Sequence, residues 1–194
     1  MIRLAHRQRG FSLLELMVTI TIVAVLLAIA VPSFRDVIKR NQISSASNEL
    51  LAGLSYARTE AIDRGQLVSM CPSPDGLACT LNGQTWEPGW IIYTYPAGAA
   101  SANKAYAAAS STLLRFTAAR SGVSIQSLGT TVITFGQQGQ LRPGTALAFV
   151  TCARTGSSGT GESTSAAPGV QLSVNGSGSI SSQAWPVGSA CTLP

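Results

Sequence analysis

Three patterns of hydrophobic and polar positions follow one another along the chain. Residues 1–10, MIRLAHRQRG, are polar and basic, and residues 11–34, FSLLELMVTITIVAVLLAIAVPSF, are apolar with Glu15 as the single charge. At 1.5 Å per residue a helix of that run spans about 36 Å, enough for the hydrocarbon core of a bilayer. Pro32 falls where the run gives way to Arg35, Asp36, Lys39 and Arg40. Its missing N–H and its ring predict a kink or a loosened turn there. Beyond it Ile43, Ala46, Leu50, Leu54, Ala57 and Ala61 recur at intervals of three and four, the stripe of an amphipathic helix with one buried face. Arg58, Glu60, Asp63 and Arg64 decorate the remainder, and Gly65 suits a helix stop. Residues 11–64 therefore read as one long helix, with a membrane-spanning part over 11–34 and an amphipathic part over 35–64 that packs on a domain.

From Gln66 the period changes from 3.6 to 2 and turn residues become frequent. Segments 66–72, 89–95, 112–118, 130–135, 145–152 and 170–174 are rich in β-branched and aromatic residues and predict six or seven short strands. Asp75-Gly76, Asn82-Gly83, Gly136 to Gly139, Pro143-Gly144 and Asn175-Gly176 supply turns between them. This spacing predicts an α+β fold in which the long helix packs on an antiparallel β-sheet or β-sandwich head over 66–194. The Ala/Ser-rich stretch 96–111 reads as an exposed loop, and 155–169 as a flexible hairpin excursion.

Composition narrows the function. The chain has 194 residues, 11% of them charged and 45% hydrophobic, which fits one folded domain with a membrane segment. The net charge of +5 weakens as evidence for a polyanion partner once the charges are placed. Arg3, Arg7 and Arg9 lie in the first ten residues, leaving ten cations against eight carboxylates elsewhere. The one histidine, His6, is in the same stretch, so the rest of the chain has no imidazole for a Ser-His-Asp or Cys-His nucleophile or a His-containing zinc site. A tethered hydrolase has no visible nucleophile and base, so no enzymatic activity and no cofactor is expected.

Arg3, Arg7 and Arg9 should hold the near end of the apolar run in the cytoplasm. A plain signal anchor would account for this much. A cleaved secretory signal fits less well, because no small-residue site closes the run. Neither accounts for Glu15, since a carboxylate one turn into a membrane helix is costly unless it has a partner or a function.

The residues Arg9-Gly10-Phe11-Ser12-Leu13-Leu14-Glu15-Leu16 resemble the processing site of type IV prepilins and type II secretion pseudopilins. The resemblance implies that residues 1–10 are a leader, that a prepilin peptidase cuts between Gly10 and Phe11, and that Phe11 is N-methylated. It implies a subunit held in the inner membrane with its head in the periplasm, then moved into a filament with other minor and major pilins or pseudopilins. Glu15 would meet the Phe11 amine of a neighbour inside an apolar bundle and set axial register. Further along, YARTEAIDRGQ, VSMCPSPDG and TWEPGWIIYTY are similar to the GspH/FimT group of minor pilins and pseudopilins. A minor type IV pilin is the favoured expectation and a type II secretion pseudopilin the alternative. Some FimT-type members are DNA-uptake receptors with a C-terminal Gly-Arg-x-Arg motif. Here Arg154 is the last cation, which counts against a nucleic-acid partner, although Lys104, Arg115, Arg120, Arg142 and Arg154 leave room for a patch in space.

Cys71, Cys79, Cys152 and Cys191 lie on the side that this topology places in the periplasm, where disulfides persist. Three connectivities are possible; Cys71 with Cys79 and Cys152 with Cys191 is favoured, the second pair fastening the tail. No C-x-x-C is present, so no metal site is expected. The glycine-rich 156–163 has Glu162 at the lysine position of a phosphate loop, where a carboxylate repels phosphate. Asp36, Glu49, Glu60, Asp63, Asp75, Glu87 and Glu162 read as solvated surface. Trp90 reads as core, and Trp86 and Trp185 as packing at the core edge.

Overall fold

The helix expected over 11–64 runs as α1 from Leu13 to Arg64. It begins where Ser12 can cap it: the Glu15 amide donates to Ser12 Oγ (3.2 Å) and the Leu16 amide to the Ser12 carbonyl (3.1 Å). It ends at Gly65, whose positive φ of 59° reverses the chain at little cost. The backbone stays helical through Pro32. This computed structural model describes residues 11–81, 84–96, 98–99, 101–128, 131–154, 156 and 159–193. The expected leader 1–10, Gly10 included, lies outside them. By compactness the chain divides after Val37 into two units.

In the first unit the apolar side chains of α1 are exposed along its length, among them Leu14, Val18, Ile22, Val25 and Ile29. In the second the helical stripe does what its spacing requires: Ile43, Ala46, Leu50, Leu54, Ala57 and Ala61 are all buried. Among the described residues nine strands follow: β1 (Val68–Pro72), β2 (Gly89–Thr94), β3 (Thr112–Ala118), β4 (Val123–Ser127), β5 (Ile133–Phe135), β6 (Leu141–Arg142), β7 (Leu147–Ala153), β8 (Val170–Val174) and β9 (Ile180–Ala184). β4, β6 and β9 were not among the expected strands. They form two antiparallel sheets, ordered β3-β2-β1-β5-β6 and β4-β7-β8-β9.

One core joins the helical stripe to both sheets. Ala46, Leu50, Leu54, Ala57 and Ala61 meet Met70, Trp90, Ile92 and Phe135 of the first sheet and Ile125, Phe149, Leu172 and Val174 of the second. The first sheet is buried on its other face too, where Cys71, Ile91, Tyr93, Tyr95 and Val132 are covered by Cys79 and Tyr106. That second layer explains why β1 and β2 are buried at every position instead of alternately.

The described residues of 96–111 are largely exposed, as expected, and both this loop and the excursion expected to be flexible are anchored at particular described residues. In 96–111 the Tyr95 hydroxyl donates to the Lys104 carbonyl (2.7 Å) and accepts from its amide (2.8 Å), and Tyr93 donates to the same carbonyl (2.6 Å). Burial raises the Tyr93 phenol above its ordinary range, so it stays a neutral donor. In 155–169 the buried Ser163 donates to the Trp185 carbonyl (3.0 Å) and accepts from the Gly169 amide (3.0 Å), while Ala167 packs inside. In the first the tyrosines at the end of β2 satisfy the backbone at Lys104, and in the second Ser163 bridges the Gly169 amide and the Trp185 carbonyl just beyond β9.

Candidate assembly interface

The first unit presents an amphiphile without a partner. Phe11 is 83% exposed and Leu13 76%, and the apolar ring of side chains continues through Phe34. Among the described residues α1 is the one helix long and apolar enough to cross a membrane. Glu15 is exposed at its N-terminal turn. There it occupies the third helical position after a Ser cap, where a carboxylate also favours the free N–H groups of the helix end. The signal for this was present in Ser12-x-x-Glu15, a capping-box spacing that reading the motif for processing alone passes over.

Two ion pairs anchor loops of the head. Glu87, read from sequence as solvated, is instead buried: it pairs with Arg154 of the β7 end and accepts from the Ile125 amide at 3.1 Å. Both contacts offset the cost of burying a carboxylate in such a place. Glu49 pairs with Arg120, whose other nitrogen donates to Ser45 Oγ at 3.1 Å. Arg115 lies over the Tyr56 ring, 5.8 Å from its centroid. Of the five cations that were candidates for a polyanion patch, Arg120 and Arg154 are therefore committed to carboxylates, and Lys104, Arg115 and Arg142 are the exposed remainder. On the helix surface Glu60 pairs with Arg64; that hydrogen bond, more than the charge itself, holds the Glu60 carboxyl below its usual range.

The cysteines pair as Cys71–Cys79 and Cys152–Cys191, with Cα–Cα separations of 5.6 and 6.2 Å. The first closes the loop 72–79, where Asp75 accepts from the Leu77 amide (2.9 Å) and is thereby held below the usual aspartate range. The second holds the tail against β7, with Trp185 and Leu193 packed beside it. Trp86 is fully buried, edge-on to Phe149 with ring centroids 5.2 Å apart, and donates to Ser127 Oγ (3.0 Å). Trp90 is core, and the half-buried Trp185 donates to the Ala190 carbonyl (3.1 Å). Among the described residues no three His, Cys, Asp or Glu side chains gather as a metal site would need.

This geometry has its counterpart in known proteins. The sequence model of the family described as type II transport protein GspH matches residues 46–178, and that of the prokaryotic N-terminal methylation motif matches residues 5–31. The fimbrial protein EcpC of Eikenella corrodens is 38% identical over 77 residues, 40% of this chain and 50% of that one. The type IV major alpha-pilin of Moraxella bovis is 48% identical over 48 residues, 25% of this chain and 30% of that one. The chain thus spans half or less of the length of these relatives. In three dimensions it is similar to the type IV minor pilin FimU of Pseudomonas aeruginosa strain PAO1, with a TM-score of 0.52 and 25% identity over 78% of this chain and 93% of that one.

Proposed function

The chain belongs to the type II transport protein GspH family, and from that premise we propose that it is a minor type IV pilin, a subunit that joins or primes a pilus. The observation that carries the proposal is the exposed apolar helix directly behind a methylation motif. Such a helix has to be covered, by lipid before assembly and by the helices of other subunits after it.

In this reading the prepilin peptidase cuts between Gly10 and Phe11 and the new Phe11 amine is methylated. Residues 11–34 hold the subunit in the inner membrane with the head in the periplasm. On transfer to the filament the Glu15 carboxylate leaves the polar interface and pairs with the Phe11 amine of a neighbour. Shifting the subunit by one helical turn would strand both charges in an apolar bundle, at a cost of about 3–5 kcal/mol. The role of the chain is structural: it is a substrate of the peptidase and an assembly module for other pilins.

The family description favours one second reading, a pseudopilin of type II secretion, which would share the processing and end in a short periplasmic fibre. A DNA-uptake receptor has less support, because Arg120 and Arg154 are engaged by Glu49 and Glu87 and the tail beyond Arg154 has no cation.

Mass spectrometry of the N-terminal peptide in sheared surface fibres and in membranes of the same cells tests the proposal. Methylated Phe11 in both fractions is the expected result. Methylated Phe11 in membranes alone would favour the pseudopilin, and an uncut Met1 start would overturn the pilin reading.

A further inference from the structure

A strand at the edge of a sheet leaves half of its backbone donors and acceptors open to another chain, and proteins guard such edges by cover, charge, bulge or brevity. Three of the four outer strands here are guarded. Over β4 lie residues 84–87: the Trp86 amide donates to the Ile125 carbonyl (2.8 Å) and the Ser127 amide to the Gln84 carbonyl (2.8 Å). β6 has only two residues and is tied to the second sheet by the Leu141 amide on the Gly176 carbonyl (3.0 Å). β3 carries a bulge, since Ile92 pairs with Arg115 and Tyr93 with Leu113, and it bears a cation.

Among the described residues β9 has none of these devices. Its five residues, ISSQA, include no charge and no proline, and they pair with β8 in unbroken register from Val174↔Ile180 to Val170↔Ala184. Ser181 to Ala184 are exposed. At the Ile180 end lies an apolar groove of ≈ 340 Å³, lined by Leu147, Val174 and Ile180 together with Leu128 and the small Ala146 and Ala148.

We propose that β9 is a docking edge on which an extended, uncharged segment of a neighbouring subunit adds as a fifth strand, one apolar side chain seated in the groove. The occupant follows from the chemistry of the edge. Only another strand presents a matching row of N–H and C=O groups, and neither the edge nor the groove offers a charge to pair. The proposal rests on the filament reading above, which also excludes β9 of a second copy as the occupant: β9 pairing with β9 needs a two-fold axis, whereas subunits added along one fibre repeat head to tail.

The test uses the full chain in its own cells, with a photo-crosslinking amino acid at Ala184, alone and with Ser182→Lys or Ser182→Thr. The expected adduct maps by peptide mass spectrometry to a strand-forming segment of another subunit. Ser182→Lys, which adds an edge charge, should lower both the adduct and incorporation into sheared fibres by roughly ten-fold, while Ser182→Thr leaves both within about two-fold. Non-reducing gels showing both disulfides establish that the variant heads are folded. Wild-type adduct and incorporation with Ser182→Lys, an adduct to β9 of a second copy or to a helix, or no adduct in fibres or membranes would each overturn the proposal. A strand adduct in membranes from a chain that never reaches a fibre would uphold the docking edge and overturn the pilus reading.

Discussion

Arg58 of the helix donates through Nε to the carbonyl of Gly139, 3.0 Å away, and through a second nitrogen to the Ser177 carbonyl at 3.4 Å. One side chain thus holds the turn before β6 and the turn before β9, one from each sheet. The site demands glycine as well: Gly178 has φ 79°, and a Cβ there would stand 1.9 Å from the Gly139 oxygen. Charge-assisted hydrogen bonds of this kind contribute about 1.5–3 kcal/mol. Arg58→Met should lower the thermal midpoint of the detergent-solubilised protein accordingly, and Gly178→Ala should lower it at least as far. An unchanged midpoint in both would remove this clasp from the stability of the head.

Glu87→Gln should be more damaging than any substitution among the exposed carboxylates. It breaks the ion pair with Arg154 in a site where Glu87 is 8% exposed, and breaking a buried pair costs about 3–5 kcal/mol. The double replacement Glu87→Leu with Arg154→Met should recover part of that loss, because no ion is then buried. Chemical denaturation of the three proteins measures the difference, and equal stability of the single and double variants would contradict it.

The two disulfides should contribute unequally. They close loops with sequence separations of 8 and 39 residues. Chain entropy then assigns about 2.5 kcal/mol to Cys71–Cys79 and about 4 kcal/mol to Cys152–Cys191. Paired Ser substitutions at each bridge, compared by denaturant midpoint, should reproduce that order. Loss of the longer bridge should also expose 159–169 and the tail to proteolysis.

Asp75 gives a pH signature. Its folded pKa is lowered chiefly by the Leu77 amide, so its stabilisation is complete above the ordinary aspartate value near ~3.9 and is lost as pH falls through the lower folded value. Hydrogen exchange at the Leu77 amide should stay slow at pH 5 and accelerate only below that ordinary value. In Asp75→Ala it should be fast throughout, and a fast wild-type amide at pH 5 would rule out the bond.

Glu15→Ala should insert, fold its head and be processed, yet be recruited poorly to fibres. Ser12→Ala provides the comparison, since it removes the helix cap, worth about 1 kcal/mol, and leaves the carboxylate in place. Fibre recruitment should fall with Glu15→Ala and stay near wild type with Ser12→Ala. Equal loss in both would assign the role of Glu15 to helix capping.

The long helix was legible because every residue of its stripe obeys one period and meets one core. The strands were legible where both sheet faces are apolar, as in β2. β4 and β9 escaped for different reasons. Ser124, Gln126 and Ser127 are polar yet buried, because residues 84–87 cross over them, a contact no local window contains. β9 buries almost nothing, and its one signal was indirect: the turn at Asn175-Gly176 needs a strand after it as well as before. Glu87 read as solvated surface because its partner is 67 positions away. In the candidate interface, the apolar run and the cysteine pairing favoured from spacing were within reach of pattern and distance along the chain. The pairing of the cations was not, since it depends on which loops the sheets bring together.

Both disulfides lie wholly within the β-rich part, and neither links it sideways to residues 38–64 of the helix. A pull applied to the helix is therefore borne by its continuous backbone into β1 and, in parallel, by noncovalent shear between the buried stripe and the sheets. The side contacts of Arg58, Glu49 and Arg40 with the loops would slip before either disulfide was loaded. A subunit built this way can yield elastically under tension and re-seat its helix when the force is released, while the two loops closed by sulfur keep their shape.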